Sequence, residues 1–163
     1  MVLQRTFVMI KPDGVERGLV GECLSRFERC GLKIIGMKML WIDNAFAQRH
    51  YTEDITKRRG EKVRNNLLKF VTEGPVIAIA IEGVDAITVV RKITGDTEPA
   101  KALPGTIRGD YAHVSISHAN EKDKPVINVI HASSNEQDAA AELKLWFTDK
   151  ELHSYRHSHE KFI

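Results

Sequence analysis

His131 is the residue whose type and position most favour catalytic chemistry. It follows a predicted strand over residues 126–130, within the string NVIHAS at 128–133. A helix is predicted soon after it, and the amides at a helix N-terminus favour bound phosphate. Imidazole is largely neutral at pH 7 and is then a nucleophile. Strand alternation puts Asn128 on the face opposite to His131. A histidine taken alone is more often structural, so its neighbours must decide its role.

Four further polar residues stand near the ends of predicted elements, where they could bind an anion. Lys11 directly follows a buried strand, and Arg91 lies late in a helix. Thr97 and Arg108 lie within a loop over residues 95–109 that is rich in Gly, Pro, Thr and Asp. Long loops in compact domains are often functional. Singly, each of these residues is more often a surface charge or a turn former.

Several common classes of protein are excluded by the sequence. It has no G-x-x-x-x-G-K-[ST] loop, no protein-kinase motifs, no Cys/His cluster with zinc spacing, and no Rossmann spacing at Gly14, Gly18 and Gly21. The 24 basic and 22 acidic residues give a net charge of +2. This balance does not favour nucleic-acid or membrane binding, and no apolar stretch approaches the length of a membrane span.

The predicted elements alternate between strands and helices within a single domain, residues 1–163. Apolar runs predict strands at 6–10, 33–41, 76–81 and 126–130, and helical periodicity predicts helices at 18–31, 44–51, 57–72, 85–93 and 135–147. Ser133 or Ser134 is expected to cap the last helix. Residues 111–125 read as exposed, and residues 153–163 as a peripheral tail. This order predicts an α+β, ferredoxin-like βαββαβ sandwich with an inserted helical hairpin and a four-stranded antiparallel sheet.

The cysteines and the N-terminal residues indicate a cellular location. Cys23 and Cys30 lie seven residues apart on one predicted helix, too far for a disulfide. Free thiols suit a reducing compartment. The first residues do not have the form of a signal peptide. We therefore expect a cytoplasmic protein.

Long stretches of the chain resemble the nucleoside diphosphate kinase family. They are RTFVMIKPDGVERGLVGE at 5–22, the region of Tyr51, EGPV at 73–76, GDTEPAKALPGTIRGDY at 95–111 and NVIHASSNEQDAAAELKLWF at 128–147. The last is similar to the family signature N-x-x-H-G-S-D. The resemblance implies an enzyme that transfers the γ-phosphate of ATP or another nucleoside triphosphate to nucleoside diphosphates, by a ping-pong mechanism through a phosphohistidine at His131.

The resemblance also implies roles for individual residues. Matched to catalytic positions are His131, Lys11, Glu142, Ser133 and Tyr51, with Glu142 supporting the second ring nitrogen of His131. Matched to nucleotide-binding positions are Lys11, Val63, Arg91, Thr97, Arg108 and Asn128. Mg²⁺ is expected through the nucleotide phosphates, without protein ligands. Family members are oligomers, and we expect a hexamer over a tetramer, with residues 95–105 near a three-fold contact.

The chain departs from the family pattern at several points. Val63 stands where the family has a phenylalanine that stacks on the base, and no aromatic residue lies between Tyr51 and Phe70. Residues near 55–65 and 115–127 are additional, and Ala132 replaces a glycine. The lost phenylalanine leaves open a non-catalytic nucleotide-binding module as the alternative function. The retained chemical residues argue for the enzyme.

The remaining histidines and the large aromatic residues have no assigned chemistry. We expect His50, His113, His118 and the histidines of the tail to be solvated. Trp41, Trp146 and Phe147 are expected in the core. A small RNA-binding domain is disfavoured, because the central strands offer no exposed aromatic residues for base stacking.

Overall fold

Four antiparallel strands form one sheet, with helices on both of its faces. The computed structural model describes residues 3–162. The strands are β1 (Leu3–Ile10), β2 (Lys33–Leu40), β3 (Val76–Val84) and β4 (Ile130–Ala132), in the order β2-β3-β1-β4. The apolar runs that become β1 and β3 lie at the centre of the sheet, where both faces are covered. This arrangement confirms the predicted ferredoxin-like sandwich.

The helices connect the strands in the predicted order. They are α1 (Pro12–Glu16), α2 (Val20–Glu28), α3 (Asn44–His50), α4 (Glu53–Arg59), α5 (Glu61–Thr72), α6 (Ala86–Thr94), α7 (Ile107–Tyr111), α8 (Ile116–Glu121) and α9 (Glu136–Trp146), with 3-10 turns at Pro99–Lys101, Asp149–Glu151 and Ser158–Phe162. Helices α3 to α5 are the insertion between β2 and β3. Within residues 3–162, no helix is long and apolar enough to cross a bilayer.

The two faces of the sheet have separate apolar cores. Phe7 and Met9 of β1 pack with residues of α3, α5 and α9, whereas Val8 and Ile10 pack with residues of α2, α6 and α7. All four side chains are fully buried. Met9 lies opposite His131 in the pairing of β1 with β4. The site described below therefore belongs to the face that carries α3 and α9.

The last strand is shorter and later than predicted. Only residues 130–132 pair with β1, so His131 lies in the middle of β4 and not after its end. Val129 has a φ of +68°. Its amide donates to Asp13 Oδ2 at 2.9 Å, and its carbonyl accepts from the amide of Lys11 at 2.8 Å. These two bonds hold residue 129 out of extended geometry, so the predicted strand alternation does not apply to Asn128.

Helix boundaries also differ from the predictions. The helix expected over 57–72 is two helices, divided at Gly60, whose φ of +92° interrupts the helical backbone. Helix α8 lies within residues 111–125, where exposure but no helix was predicted. Asn135 caps α9 by accepting from the amide of Asp138, because the Ser133 hydroxyl is buried and bonded elsewhere.

The large aromatic residues divide between the core and the surface. Trp146 and Phe147 are buried, as expected. Trp41 is not in the core, because it follows the edge strand β2 and is 69% exposed. Its indole N–H donates to the carbonyl of Thr72.

Candidate active site

A chain of three side chains fixes the orientation of His131. Its Nε2 lies 2.8 Å from Oε1 of Glu142, which α9 carries on the same face of the sheet. Ser133 Oγ donates to the other carboxylate oxygen of Glu142 at 2.5 Å. The main chain of Phe7 holds Ser133 in turn, because Phe7 N lies 3.3 Å from Ser133 Oγ. The orientation of His131 is therefore fixed by Glu142 of α9, and Glu142 is held by Ser133, which the main chain of β1 anchors.

The charge of Glu142 determines which nitrogen of His131 is available. Burial opposes ionisation of Glu142, but the neighbouring His131 and the hydrogen bonds from His131 and Ser133 hold its pKa below the usual value. An ionised carboxylate accepts only, so a neutral His131 carries its proton on Nε2. The lone pair on Nδ1 is then free. The side chain of His131 is 22% exposed, which leaves the ring accessible.

His50 packs directly against His131, and the expectation that it is solvated is wrong. Its side chain is 1% exposed, and its ring lies 4.8 Å from that of His131 at an interplanar angle of 87°. His50 Nδ1 accepts from Trp146 Nε1 at 3.2 Å. Burial, together with the charge of His131, lowers the pKa of His50 to about 3, so the ring is neutral. Among residues 3–162, its Nε2 has no hydrogen-bond partner.

A sequence signal for the burial of His50 exists but was not used. Ala47 and Tyr51 are both buried, and His50 lies three residues after the first and one before the second. Helical spacing places residues 47, 50 and 51 on one side of α3. The polarity of the imidazole ring argued against that placement, although an aromatic ring with one bonded nitrogen packs well in a core.

Lys11 is a buried cation with one side-chain partner among residues 3–162. It is 6% exposed, and its Nζ donates to Asn128 Oδ1 at 2.8 Å. Asn128 Nδ2 donates in turn to the carbonyl of Thr97 at 2.8 Å. Burial, then repulsion by Arg108, lowers the pKa of Lys11 to about 7. The three predicted residues Lys11, Asn128 and Thr97 are therefore connected.

Arg108 is the second buried cation, and it is held by backbone carbonyls. Nη1 donates to Gly95 O at 3.0 Å and Nη2 to Ile130 O at 2.6 Å, next to His131. The side chain is 7% exposed, and its Nε has no partner within the described part of the chain. Burial, then the charge of Arg91, lowers the pKa of Arg108 to about 10. We call Lys11, Arg91 and Arg108 the cationic cluster.

The other predicted site residues have different settings. Tyr51 is buried, and burial followed by Glu142 raises its pKa, so its phenol remains protonated. Arg91 is exposed at the surface of α6. Val63 is half-buried on α5, where the adjacent Arg64 donates from Nε to the carbonyl of Tyr51 at 2.8 Å.

Asp13 is a positioning residue that sequence reasoning missed. Its Oδ2 holds the amide of Val129, while its buried Oδ1 has no partner in the region 3–162. Burial raises its pKa, and the charge of Lys11 opposes that shift. Asp13 thus joins the turn after β1 to the segment before β4. Its place in the string KPDG was the available signal.

The site is suited to an anionic ligand with its own cation. The charge of Arg108 lowers the pKa of Lys11 and the charge of Arg91 lowers the pKa of Arg108, and an anion bound among them would relieve that repulsion. The cationic cluster presents nitrogen donors, not the set of oxygen ligands that Mg²⁺ requires. This donor set fits a metal ion that is held by ligand phosphates and water.

Comparison with known proteins identifies the family. The family model for nucleoside diphosphate kinase matches residues 4–152. A nucleoside diphosphate kinase of Borreliella burgdorferi is 50% identical over 161 residues, which cover 98% of this chain and 96% of the relative. The enzyme of Sulfurisphaera tokodaii is 50% identical over 152 residues, covering 93% of this chain and 94% of that one.

Solved structures agree with the sequence comparisons. A Borrelia burgdorferi nucleoside-diphosphate kinase with bound vanadate and ADP, a transition-state mimic, superposes with a TM-score of 0.96 at 50% identity, over 98% of this chain and 96% of that chain. A Halobacterium salinarum nucleoside diphosphate kinase in complex with CDP gives 0.83 at 38% identity, over 98% and 97%. On fold, site and sequence together, the chain belongs to the nucleoside diphosphate kinase family.

Proposed function

We propose that this phosphotransferase carries a phosphoryl group on Nδ1 of His131 as it passes from a nucleoside triphosphate to a nucleoside diphosphate. The observation that supports this most strongly is the hydrogen-bond chain from Ser133 through Glu142 to His131 Nε2. These hydrogen bonds engage Nε2 of His131 and leave Nδ1 as the nucleophile. Arg108 of the cationic cluster lies close by, because it donates to the carbonyl of Ile130.

The proposed reaction consists of two in-line transfers. In the first, the Nδ1 lone pair attacks the γ-phosphorus, the bond to the β–γ bridging oxygen breaks, and its electron pair leaves with the nucleoside diphosphate. The proton on Nε2 stays there and continues to donate to Glu142, which stabilises the positive charge on the ring. In the second transfer, the terminal phosphate oxygen of another nucleoside diphosphate attacks, and the neutral imidazole of His131 is the leaving group.

The cationic cluster stabilises the charge that spreads over the transferred group. Phosphoryl transfer gains mostly from positioning and electrostatics. Arg91, Arg108 and Thr97 bind the phosphates, and the protonated phenol of Tyr51 donates beside Lys11. Lys11 and Asn128 also reach the sugar hydroxyls. Mg²⁺ would be held by the nucleotide phosphates and water, and it would neutralise part of the nucleotide charge.

The transfer is tested by incubating the protein with γ-labelled ATP and Mg²⁺ and measuring acid-labile label on the chain, then its transfer to GDP. We expect labelling in the parent and in His118→Ala, a matched histidine change on the exposed side of α8. His131→Ala should lose at least about 10⁴-fold in rate. Labelling that persists in His131→Ala would contradict the nucleophile assignment. Absence of labelling and transfer in the parent would favour the non-catalytic binding module.

The base is proposed to lie against Val63, at the helical pair α4–α5. Stacking on an aromatic ring is worth about 1–3 kcal/mol in nucleic-acid sites, so Val63→Phe should lower the nucleotide KM by roughly tenfold. Steady-state kinetics with kcat as internal control measure this. An unchanged KM would show that residue 63 does not contact the base.

We also propose a homo-hexamer, a single domain over residues 1–163 with a peripheral tail from 153, and a cytoplasmic location that suits the two free cysteines.

Two exposed apolar surfaces are suited to contacts between copies of the chain. The edge strand β2 and the residue after it expose Met37, Met39 and Trp41, a row that a second copy would cover. Leu103, exposed in the 95–105 loop, is suited to a three-fold contact. Light scattering of Met39→Lys tests the first contact, because a charged edge disfavours strand pairing. An unchanged mass would contradict it.

A further inference from the structure

Three side chains beside β4 offer ligand atoms that are close enough to share one metal ion. His50, His131 and Glu142 each place one such atom within 4.8 Å of the other two. His50 Nδ1 lies 3.9 Å from Glu142 Oε1, and His131 Nε2 lies 2.8 Å from the same oxygen. We call these three residues the imidazole cluster.

We propose that the imidazole cluster is an inhibitory site for Zn²⁺. Two imidazole nitrogens and one carboxylate oxygen form a ligand set that zinc uses in open sites, where a fourth position is left to water. Imidazole suits zinc and its neighbours in the first transition row. Mg²⁺ prefers oxygen ligands and near-octahedral geometry. The cation of the phosphoryl transfer therefore leaves the imidazole cluster free.

Two of the three separations between ligand atoms need only small movements to accept the ion, and the third, between His50 and His131, is at most 4.8 Å and would shorten by up to about 1.5 Å. Bonds of about 2.0–2.1 Å in a tetrahedron place ligand atoms about 3.3 Å apart. The 2.8 Å contact between His131 and Glu142 would lengthen by about half an ångström, and the 3.9 Å separation from His50 would shorten by a similar amount. The second oxygen of Glu142 keeps its bond from Ser133, which orients the ligand.

The protons of the imidazole cluster are compatible with zinc binding. His50 Nδ1 accepts from Trp146 Nε1, so it already has a lone pair and needs to lose no proton. A bond from that lone pair to zinc would replace the hydrogen bond from the indole N–H of Trp146. At His131, zinc takes the Nε2 position, and the ring proton moves to Nδ1. The ring stays neutral, and no electron changes hands.

This proton movement would inhibit the enzyme, a consequence that rests on the proposed function. With its proton on Nδ1, His131 has no lone pair for the γ-phosphorus. A phosphohistidine, in turn, keeps a proton on Nε2 and has no lone pair there for zinc. Zinc and the phosphoryl group would therefore exclude each other, although they bind to different nitrogens of the same ring.

The site is tested by metal binding, which needs no catalysis. The metal-free protein is titrated with Co²⁺, whose visible absorption reports nitrogen ligation at low coordination number, and Zn²⁺ is then added to displace it. We expect one ion per chain and an affinity that falls about 100-fold or more in His50→Phe. That change keeps an aromatic ring but removes the ligand.

The control is a second pair of histidines, His157 and His159, whose rings lie 5.2 Å apart in the tail. The double change His157→Ala with His159→Ala should leave the affinity unchanged. Equal affinity in His50→Phe, or loss of binding in the tail variant, would overturn the proposal. If His50→Phe does not fold by circular dichroism, Glu142→Gln takes its place, and unchanged Co²⁺ binding there would equally refute the site.

The inhibitory consequence has its own readout. Zn²⁺ at an amount that saturates the binding titration should slow phosphoryl labelling of His131 in excess Mg²⁺, and a zinc-selective chelator should restore it. Full labelling of the zinc-loaded protein would overturn the inhibition while leaving the site. A protein that binds zinc but is never labelled would contradict the proposed function and not the metal site.

Discussion

The two ends of β1 hold charged residues in opposite ways. Near its start, Glu82 lies between Arg5 and Lys33 on neighbouring strands, with contacts of 2.9 and 2.7 Å. At its other end, Lys11, which directly follows β1, and Arg108 of α7 are both buried and repel each other. Burial opposes ionisation of Glu82, but its two cations lower its pKa. Burial and the charge of Arg108 lower the pKa of Lys11 to about 7, although the charge of Asp13 acts in the opposite direction.

The difference separates charges that stabilise the fold from charges that bind a ligand. A carboxylate with two cationic partners holds three strands together without any other molecule. Within residues 3–162, Lys11 and Arg108 form no ion pair with a carboxylate, so their burial makes the nucleotide-free site less stable. In the proposed function they gain a partner when a phosphate binds. Substitutions near the start of β1 should therefore lower stability and leave activity unchanged. Substitutions of the cations after its end should lower activity without destabilising the nucleotide-free protein.

The largest expected effect is at Arg108. Arg108→Leu removes a donor that we propose binds the transferred group, and kcat/KM should fall by about 10²–10³-fold. Steady-state phosphoryl transfer measures it. Arg5→Leu is the matched change at the start of β1 and should leave kcat/KM unchanged. Equal losses in both variants would remove the distinction between the two ends.

The next largest effect is expected on the free energy of unfolding of Lys11→Met, measured without nucleotide. The pKa of Lys11 is lowered from 10.5 to about 7, so below pH 7 the residue is charged in both states and burial of the charge destabilises the fold. Between about pH 7 and 10.5 the unfolded state binds more protons, and stability rises with pH. Lys11→Met should therefore stabilise the protein by about 1–4 kcal/mol at pH 6, and by much less at pH 10.5.

Urea unfolding at the two pH values, without nucleotide, measures this difference. The same Lys→Met change at Lys33 should destabilise the protein, because it removes a partner of Glu82. A gain in Lys11→Met that is equal at pH 6 and pH 10.5 would show that the buried charge is not its cause.

A smaller loss is expected in Glu82→Gln. Removing the carboxylate takes away the ion-pair partner of Arg5 and leaves Lys33 with Glu160, 3.3 Å away. Since Arg5 is half-exposed, we expect a loss of about 1–3 kcal/mol. Because the folded-state pKa of Glu82 is lowered, its contribution is present above the unfolded pKa and is lost as the pH falls through the folded value. Urea unfolding from pH 7 downward should show this loss in the parent and not in the variant. A change in phosphoryl transfer in Glu82→Gln would contradict a purely structural role.

The smallest effect is expected at an exposed ion pair. Lys62 of α5 contacts Asp123 after α8 at 2.9 Å, and both side chains are more than half-exposed. Exposed pairs contribute little, so Lys62→Ala should change stability by about 0.5 kcal/mol or less. Thermal unfolding at low and high salt measures it. A loss of stability as large as that of Glu82→Gln would show that solvent exposure does not determine how much an ion pair contributes to stability in this protein.

Much of the architecture follows from local sequence patterns. The runs TFVMI and VIAIAI predicted the two central strands because continuous apolar residues require burial on both faces. The string of residues 128–133 and the turn KPDG indicated where polar groups stand relative to those strands. Repeating patterns and turn residues act over a few positions, so one sequence is enough to interpret them.

Packing decided what the local patterns could not. Lys11 and Asn128 are 117 residues apart, and their contact exists only because β4 lies beside β1. Val129 leaves extended geometry because Asp13 and Lys11 bind its two backbone groups. His50 is buried against His131 because α3 and α9 cover the same face of the sheet. The sequence alone thus determined the two central strands, the order of the longer elements and the identity of the chemical groups. The tertiary structure decided which groups meet and which lose water, since both depend on residues far apart in the chain.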